Sequence, residues 1–407
     1  QMSQSGVAGG KPSITIRGQK SIGGSSDPLI VLDGVIFKGE INDIDPNTIE
    51  SMSLMKDATS LASYGSQAAN GVIMITTKKG EVGKPVINVK ASVSLVEANY
   101  KPDLKDPEEY IELINARRGE ADPHGTIWMS PLELENYKAG KTTDWIDYST
   151  QLGVQQEYSA NISGGTSGMN YMFGVSRSDT ENFIKGNRFI RNSITSRIST
   201  KITNWLSAGI NFNWADMRDD GIRGSFSRYY SPFASPEFED GTMRKYIWGP
   251  GGEPTANPMW DSGSGTVDSE YRGNASTLGG NIEVKIPWIK GLSYKLTGNY
   301  TTREFDTRRF YHEAYYWTAT DTDFSTASAD KYLGKANGYI NTTKSVGWVL
   351  DNILTYTREF GKHYVNATLV YTRDANKSTG HNVSGSNFQS IGTTTPGFYG
   401  LTTATTH

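Results

Sequence analysis

The N-terminal part of this chain carries short apolar runs separated by turn-forming residues. Leu29 to Leu32 and Val35 to Phe37 are two such runs, and the pair Asp33-Gly34 stands between them. An Asp-Gly pair in this position predicts a β-hairpin, because both central residues of a type I′ turn adopt positive φ angles. A further strand is expected from Val72 to Thr77, where the run follows Asn70-Gly71.

Two short helices are predicted between these strands. Asp45-Pro46 places a capping side chain and a proline at the start of a helical turn through Ile49 and Glu50. Asp57 can cap a second short helix. We therefore expect residues 1–82 to fold as one small α+β domain.

Longer segments of strict alternation follow beyond residue 85. In residues 188–202, isoleucines at every fourth position fall on one face, while Arg191 and Arg197 fall on the other. Roughly nine segments of this kind occur in residues 83–407. One apolar face and one polar face on each strand are typical of a membrane β-barrel, in which one side meets lipid and the other a wet lumen.

The joins between these strands alternate between short turns and long polar loops. The long loops are expected at residues 216–275 and 304–343. Short turns at one end and long loops at the other are the layout of outer-membrane barrels. Two helical patches, which begin at Asp106-Pro107 and Ser130-Pro131, are predicted to be structured loop elements without chemistry of their own.

Composition agrees with a β-rich protein and narrows its class. Hydrophobic residues make up 36% of the chain, and no run approaches the ~18 apolar residues of a membrane helix. The net charge of −3, without a long basic run, argues against nucleic acid as a partner. The chain has no cysteine, and it begins at Gln1 without a signal peptide, so we expect a processed or truncated product.

Several motifs from Ile16 to Gly80 occur in an order that resembles a known family. They include IRGQKSIGG, DPLIVLDGVIF and SLASYGSQAANGVIMITTKKG. Together they closely resemble the plug domain of the SusC/RagA-like TonB-dependent transporters, and residues 130–212 resemble the early barrel of the same family. The resemblance implies an antiparallel membrane β-barrel, partial in this chain, with an N-terminal α+β plug. The first part of the plug and the C-terminal half of the barrel are expected to be absent.

The resemblance also implies a function and a location. Members import large nutrients across the outer membrane of Gram-negative bacteria, most often oligosaccharides and less often peptides, with a SusD-like surface lipoprotein as a lid. TonB supplies the energy by pulling on a segment that would precede Gln1. No enzyme activity and no cofactor are expected. Uptake of a siderophore or vitamin stays open, because plug architecture does not specify cargo.

Two charged residues and two differences from the family motif stand out in the plug. Arg17 and Glu50 are candidates for ion pairs that hold the plug in the lumen, although pairing within the plug would explain them equally well. Gln67 stands where the family has arginine, and Ser53 where an acidic residue is usual. Both substitutions remove a charge that a latch between plug and barrel could use.

Aromatic residues are concentrated in the long loops, where they could stack on sugar rings. A girdle at the lipid interface or packing within the loops would also explain them. The candidates for substrate contact are Tyr229, Tyr230, Trp248, Trp260, Tyr315, Tyr316 and Trp317.

Other chemistry has weak support in the sequence. Ser53 and Lys56 match the S-x-x-K of acyl-serine enzymes, but neither S-D-N nor K-T-G follows. Asp321 and Asp323 lack the rest of a calcium loop, and the five histidines have no metal-ligand spacing. A β-sandwich adhesion protein and an outer-membrane hydrolase remain as functions of other classes; the former leaves the plug resemblance unexplained, and the latter lacks a catalytic constellation.

Overall fold

The computed structural model describes a four-stranded β-sheet, a nine-stranded β-sheet and a separate pair of short strands. It covers residues 14, 27–55, 64, 67–98, 106–118, 129–219, 230–248, 254–312, 315 and 336–388. The N-terminal domain contains a four-stranded sheet with the order β2-β1-β4-β3. Its strands are β1 (Leu29–Leu32), β2 (Val35–Ile36), β3 (Ile49–Met55) and β4 (Val72–Thr77).

The predicted hairpin is present in this domain. Strands β1 and β2 pair antiparallel, and Asp33 and Gly34 between them have φ angles of 53° and 88°. The apolar side chains of the hairpin and of β4 form the main core of the domain, which contains Leu32, Phe37, Ile41, Ile44, Ile73 and Ile75.

The prediction of a helical turn through Ile49 and Glu50 is wrong. A 3₁₀ helix covers only Pro46–Thr48, capped by the Asp45 side chain as predicted, and β3 begins at Ile49. Residues 49–55 pair antiparallel with β4, and the hydrogen bonds of that pairing replace a second helical turn. The second helix, expected after Asp57, lies largely outside the described residues.

The large sheet has nine antiparallel strands in the order β15-β14-β13-β12-β9-β8-β7-β6-β5. Each pairs with its neighbour over most of its length. The strands are β5 (Gly83–Val96), β6 (Gly153–Gly165), β7 (Met169–Glu181), β8 (Arg188–Lys201), β9 (Leu206–Asp219), β12 (Val267–Lys285), β13 (Leu292–Tyr311), β14 (Ala336–Phe360) and β15 (His363–Phe388), while the short β10 (Tyr246–Trp248) and β11 (Pro254–Ala256) pair separately.

The two faces of the large sheet have different surroundings. We call the face that contacts the N-terminal domain the inner face and the opposite one the outer face. Apolar side chains on the outer face are solvent-exposed; Phe173, Ile210 and Leu278, for example, expose 47–52% of their surface. This is the arrangement expected where lipid covers the outer face.

The long loops are shorter than the alternation predicted. Strand β9 continues to Asp219 and β12 starts at Val267, so the loop expected at 216–275 covers 220–266. Likewise, β13 continues to Tyr311 and β14 starts at Ala336. The extensions carry charged residues on their outer face, and an apolar criterion therefore does not detect them.

The joins at one end of the sheet are short, whereas three of the four joins at the other end are long; the fourth, residues 182–187, is short. The long-loop end contains α1 (Pro107–Arg118), α2 (Pro131–Ala139), α3 (Trp145–Ser149) and the short α4 (Trp260–Gly263). Ser130 caps α2 as predicted, because its hydroxyl accepts from the Glu133 backbone N–H. Within the described residues, no helix is long and apolar enough to cross a membrane.

Candidate functional site at the inner face of the large sheet

Arg303 of β13 makes the most extensive polar contact between the inner face and the N-terminal domain. Its Nη1 donates to Glu40 Oε1 at 3.1 Å, and its Nε and Nη2 lie 2.7 and 3.4 Å from the two carboxylate oxygens of Asp43. Asp43 ends a 3₁₀ helix, and its Oδ2 also accepts the Glu40 backbone N–H at 2.7 Å. The turn thus fixes two carboxylates around one guanidinium.

Burial sets the energetics of this contact. The Asp43 side chain is 5% exposed and that of Arg303 is 16% exposed. Burial raises the pKa of the Asp43 carboxyl, and Arg303 opposes that rise. Because desolvation offsets much of the attraction within a buried pair, the pair contributes little when intact but costs about 3–5 kcal/mol when one partner is removed.

Arg197 of β8 contacts the hairpin turn of the N-terminal domain. Its Nη1 lies 2.9 Å from Asp33 Oδ1 and donates to the Thr77 hydroxyl at 2.5 Å. Asp33 is fixed in turn by the Thr77 backbone N–H at 2.9 Å and hydroxyl at 2.7 Å. One guanidinium therefore touches both the first turn and the last strand of the domain.

Asp45 forms a third contact, with β7 and β8. Its Oδ2 accepts from the Ser176 hydroxyl at 2.5 Å, and Arg191 Nη2 lies 3.8 Å from its Oδ1. The same Oδ1 caps the 3₁₀ helix by accepting the Asn47 backbone N–H at 2.9 Å. The capping carboxylate predicted from the sequence thus also contacts the sheet.

Lys38 forms a fourth contact, in which the N-terminal domain provides the cation and the sheet provides the carboxylate. Its Nζ lies 2.6 Å from Asp374 Oδ2 of β15 and 3.4 Å from Gln67 Oε1, while Gln67 Nε2 is 3.5 Å from Asp374 Oδ1. Gln67, which stands where the family pattern has arginine, therefore still contacts the sheet. Lys38 carries the positive charge at this position.

Apolar and backbone contacts complete the interface. Val349 of β14 packs with Val35 and Ile36 of the hairpin, and Asn299 Nδ2 of β13 donates to the Ile36 carbonyl at 2.8 Å. At three of the four charged contacts the N-terminal domain provides carboxylates and the sheet provides arginine. Such an arrangement can hold a domain in place and release it, and it has no catalytic constellation.

The residues predicted from the sequence for this role lie elsewhere. Arg17 is outside the described residues, and Glu50 is solvent-exposed on β3, apart from the four contacts. The sequence did signal other members of the interface by their backbone roles: Asp33 belongs to the Asp-Gly turn, and Asp45 to the helix cap. Lys38 and Glu40 had no such signal.

Two of the candidate aromatic residues meet at the long-loop end. The rings of Trp260 and Tyr315 lie 6.4 Å apart, and Tyr311 lies 4.8 Å from Tyr315. Lys245 Nζ lies 4.7 Å from the Tyr315 ring centroid. Burial lowers the pKa of Lys245. This aromatic cluster combines ring faces with an ammonium group.

The other aromatic candidates are placed differently. Tyr230 packs against the buried Trp145 at 5.4 Å, within the core of the long-loop elements. Trp248 belongs to β10. Tyr229, Tyr316 and Trp317 lie outside the described residues, as do Asp321 and Asp323. Among the residues that the structure describes, no group of three or more His, Asp or Glu side chains is arranged to hold a metal ion.

Sequence comparisons find relatives over most of this chain. The family model "TonB-dependent Receptor Plug Domain" matches residues 1–72. A TonB-dependent receptor of Formosa agariphila is 29% identical over 89% of this chain and 34% of its own length. The TonB-dependent receptor SusC of Bacteroides thetaiotaomicron is 33% identical over 47% of this chain and 19% of its own length.

Solved structures share the fold. The RagAB peptide importer in its closed-closed state matches 97% of this chain and 46% of the solved chain, with a TM-score of 0.75 and 18% identity. The open-open state of the same importer matches with a TM-score of 0.71 and 19% identity. This chain spans about a third of the length of the Formosa relative and just under half of the solved chains.

Proposed function

Because this chain belongs to the SusC/RagA-like TonB-dependent transporters of the Gram-negative outer membrane, we propose that it forms part of an importer whose lumen its N-terminal domain closes. In this proposal the nine strands are a segment of the barrel wall, and the inner face lines the lumen. The N-terminal domain is the plug, which must move or partly unfold for a large solute to pass.

The observation that carries this proposal is the set of four charged contacts between plug and wall. They join Asp33, Asp43 and Asp45 to arginines of the wall, and Lys38 to Asp374. At the three arginine contacts the carboxylates of Asp33, Asp43 and Asp45 are 5–9% exposed, so removal of the arginine leaves a poorly solvated charge. The contacts therefore fix the position of the plug against the wall, and displacement of the plug, which must separate all four of them, takes work from outside the barrel.

We propose TonB as the source of that work and a SusD-like surface lipoprotein as the partner at the long-loop end. The cargo we propose is an oligosaccharide. Trp260 and Tyr315 support this cargo, because neighbouring aromatic rings at the entrance to a pore can stack on the apolar faces of sugars. Peptides, siderophores and vitamins are the alternatives that the experiments below would reveal.

A disulfide tether between plug and wall tests the closure directly. A Cβ atom at Gly347 of β14 would lie 2.8 Å from the Lys38 Cβ, somewhat nearer than the ~3.5–4.5 Å that a disulfide spans. This chain contains no cysteine, so Lys38→Cys with Gly347→Cys introduces one new pair. In the full-length protein, oxidation of that pair should stop growth on the imported nutrient, and reductant should restore it.

The two single cysteine variants are the matched controls. Each should respond to oxidant and reductant no more than the wild type does. Continued import by a fully oxidised double variant would refute plug displacement. The cargo and partner are tested separately, by growth on panels of oligosaccharides and peptides and by mass spectrometry of proteins that co-purify from detergent-extracted outer membranes.

A further inference from the structure

Arg309 of β13 lies on the inner face of the sheet, above the contacts with the plug. It pairs with Ser269 of β12 and Tyr339 of β14, and it follows Arg303 by six positions, an even number, so both arginines are on the same face. That distance along the strand is about 20 Å, in the direction of the long-loop end. Arg309 therefore faces the lumen between the plug and the aromatic cluster.

The other arginines on the inner face of the described strands have acidic partners on the plug. The pairs are Arg191 with Asp45, Arg197 with Asp33, and Arg303 with Asp43 and Glu40. Around Arg309, no carboxylate oxygen of the described residues lies within the 4.0 Å of an ion pair. Asp261 of α4 attracts Arg309 from a greater distance. Docking of the plug therefore does not account for this arginine.

The carboxylates of the neighbouring strands are engaged elsewhere. Asp268 and Asp306 lie on the outer face, where each contacts a basic side chain at 2.7–2.8 Å. Asp219, on the inner face two strands away, is 9% exposed and accepts an amide N–H from Asn187. The sheet itself thus supplies no anion to Arg309 among the residues that the structure describes.

The guanidinium of Arg309 retains donors for a further partner. Its Nη1 donates to the Tyr311 hydroxyl at 3.3 Å, and its Cζ lies 5.9 Å from the Tyr311 ring centroid. This is the one hydrogen bond that its side chain makes within the described part of the chain. Because a guanidinium carries several N–H donors in a planar fork, the partly exposed Arg309 can still bind two oxygens of one anion.

The wall around Arg309 carries uncharged hydroxyl, amide and ring groups. The inner-face neighbours by strand pairing are Ser269, Thr307, Tyr311, Tyr339, Asn341 and Ser384. Tyr311 also lies 4.8 Å from Tyr315, so this lining is continuous with the aromatic cluster. Rings that stack on apolar faces, next to groups that hydrogen-bond with hydroxyls, suit a sugar better than an apolar solute. We call Arg309, Tyr311 and Tyr339 the Arg309 patch.

We propose that the Arg309 patch binds an acidic group, either a carboxylate or a sulfate, of an oligosaccharide cargo on its way from the aromatic cluster to the plug. The inference rests on the proposed function and adds the charge class of the cargo. A guanidinium fork matches the paired oxygens of a carboxylate or of a tetrahedral oxyanion. The neighbouring tyrosines and hydroxyl groups contact the sugar that carries the acidic group.

The test compares acidic oligosaccharides with their neutral counterparts. The probes are a library of uronate-containing and sulfated oligosaccharides, each with a counterpart whose carboxylates are reduced to alcohols or whose sulfates are removed. Acidic peptides and their amidated forms are included. Binding to the full-length protein in detergent is detected on an array, and the affinity of each member that binds is measured by calorimetry at low and high salt.

Three variants separate the charge of Arg309 from other effects. Arg309→Gln removes the cation, and Arg309→Lys keeps it without the planar fork. Arg308→Gln is the matched control, because it removes a positive charge from the adjacent residue, which lies on the outer face and pairs with Asp306. Heat-dependent gel mobility shows whether the barrel of each variant is folded.

The wild type should bind an acidic oligosaccharide about tenfold more tightly than the neutral counterpart, because hydrogen bonds to a charged group are lost with the charge. Arg309→Gln should abolish this preference, and added salt should weaken its binding less than that of the wild type. Arg309→Lys should keep part of the preference, and Arg308→Gln should match the wild type. The members that bind identify the acidic group as uronate or sulfate.

Failure of the wild type to bind any acidic oligosaccharide would overturn the inference, whether or not neutral sugars or peptides bind. So would a folded Arg309→Gln variant that keeps the preference; if that variant does not fold, Arg309→Lys and the paired sugars decide. The disulfide tether distinguishes this failure from failure of the proposed function. Import of a neutral cargo that the oxidised tether stops would refute the acidic cargo alone, whereas import despite the oxidised tether would refute closure by the plug.

Discussion

Arg197 of the barrel wall lies 2.9 Å from Asp33 of the plug, although 164 residues separate them along the chain. Asp33 is held in the left-handed region by the hairpin turn, with φ at 53°. The same carboxylate accepts two hydrogen bonds from Thr77, the last residue of β4. One guanidinium on the wall is therefore coupled to the first turn and to the last strand of the plug.

Replacement of Arg197 by alanine should loosen the plug. Asp33 is 9% exposed and would lose its cation, so docking should weaken by about 3 kcal/mol, the lower end of the range for a broken buried pair. The measurement is limited proteolysis of the plug in the full-length protein, together with single-channel conductance in planar bilayers. Both proteolysis and conductance should rise.

The double variant Arg197→Met with Asp33→Asn separates the charge from the packing. Asparagine tolerates the positive φ angle at position 33, and no unpaired charge remains. The double variant should recover much of the protection lost in Arg197→Ala. Equal loss in both proteins would show that the charge pair has no particular role in docking.

Lys38 and Gln67 lie close to the same carboxylate of Asp374, so a substitution at Gln67 should compensate for the loss of Lys38. Lys38→Ala should weaken docking by about 1 kcal/mol, because Asp374 is 30% exposed and water compensates part of the lost contact. A second change, Gln67→Arg, restores a cation within reach of the same carboxylate, since Gln67 Nε2 already lies 3.5 Å from Asp374 Oδ1. Plug protection should return in the double variant and should not return with Gln67→Met, which lacks the charge.

Strand alternation predicted the faces of the sheet, while the partners of each residue depend on the folded chain. The pattern in residues 188–202 placed Arg191 and Arg197 on the polar face, and both contact the plug. No local feature of the sequence indicates that their partners are Asp45 and Asp33. Those residues were recognised as a helix cap and a turn residue, and tertiary structure gives each a second role.

Two wrong predictions have physical causes. Asp45-Pro46 does begin a helical turn, but residues 49–55 pair with β4 as a strand, with one register shift between Ile49 and Ser51, so the helix ends at Thr48. The ends of β9 and β12 were assigned to a loop because charged outer-face residues such as Arg218 and Arg272 break the alternation of apolar and polar residues. The alternation criterion measures contact with lipid, whereas the backbone pairing continues past it.

Gly80, which lies between plug and barrel in the chain, packs closely against the backbone of β6 and β7. A Cβ atom there would lie 2.2 Å from the Tyr171 carbonyl oxygen and 2.6 Å from that of Gly164. Backbone atoms of paired strands cannot move aside cheaply, so Gly80→Ala should destabilise this junction by about 1–3 kcal/mol, as other overpacking substitutions do. Gly168→Ala, in the adjacent short turn, is the control because its nearest neighbour would be 3.9 Å away. Thermal unfolding in detergent should distinguish the two variants, and an equal melting temperature would contradict this close packing.

Trp260 should contribute to cargo capture through its neighbour Tyr315. Their rings lie 6.4 Å apart at the long-loop end, beside Tyr311 and Lys245. An aromatic contact contributes about 0.5–1.5 kcal/mol, so Trp260→Ala should raise the oligosaccharide concentration that gives half-maximal uptake by about three- to tenfold. Trp288→Ala is the matched control, because Trp288 is 81% exposed in a turn at the opposite end of the sheet. If both variants take up the oligosaccharide as the wild type does, the aromatic cluster serves loop packing and the cargo is recognised elsewhere.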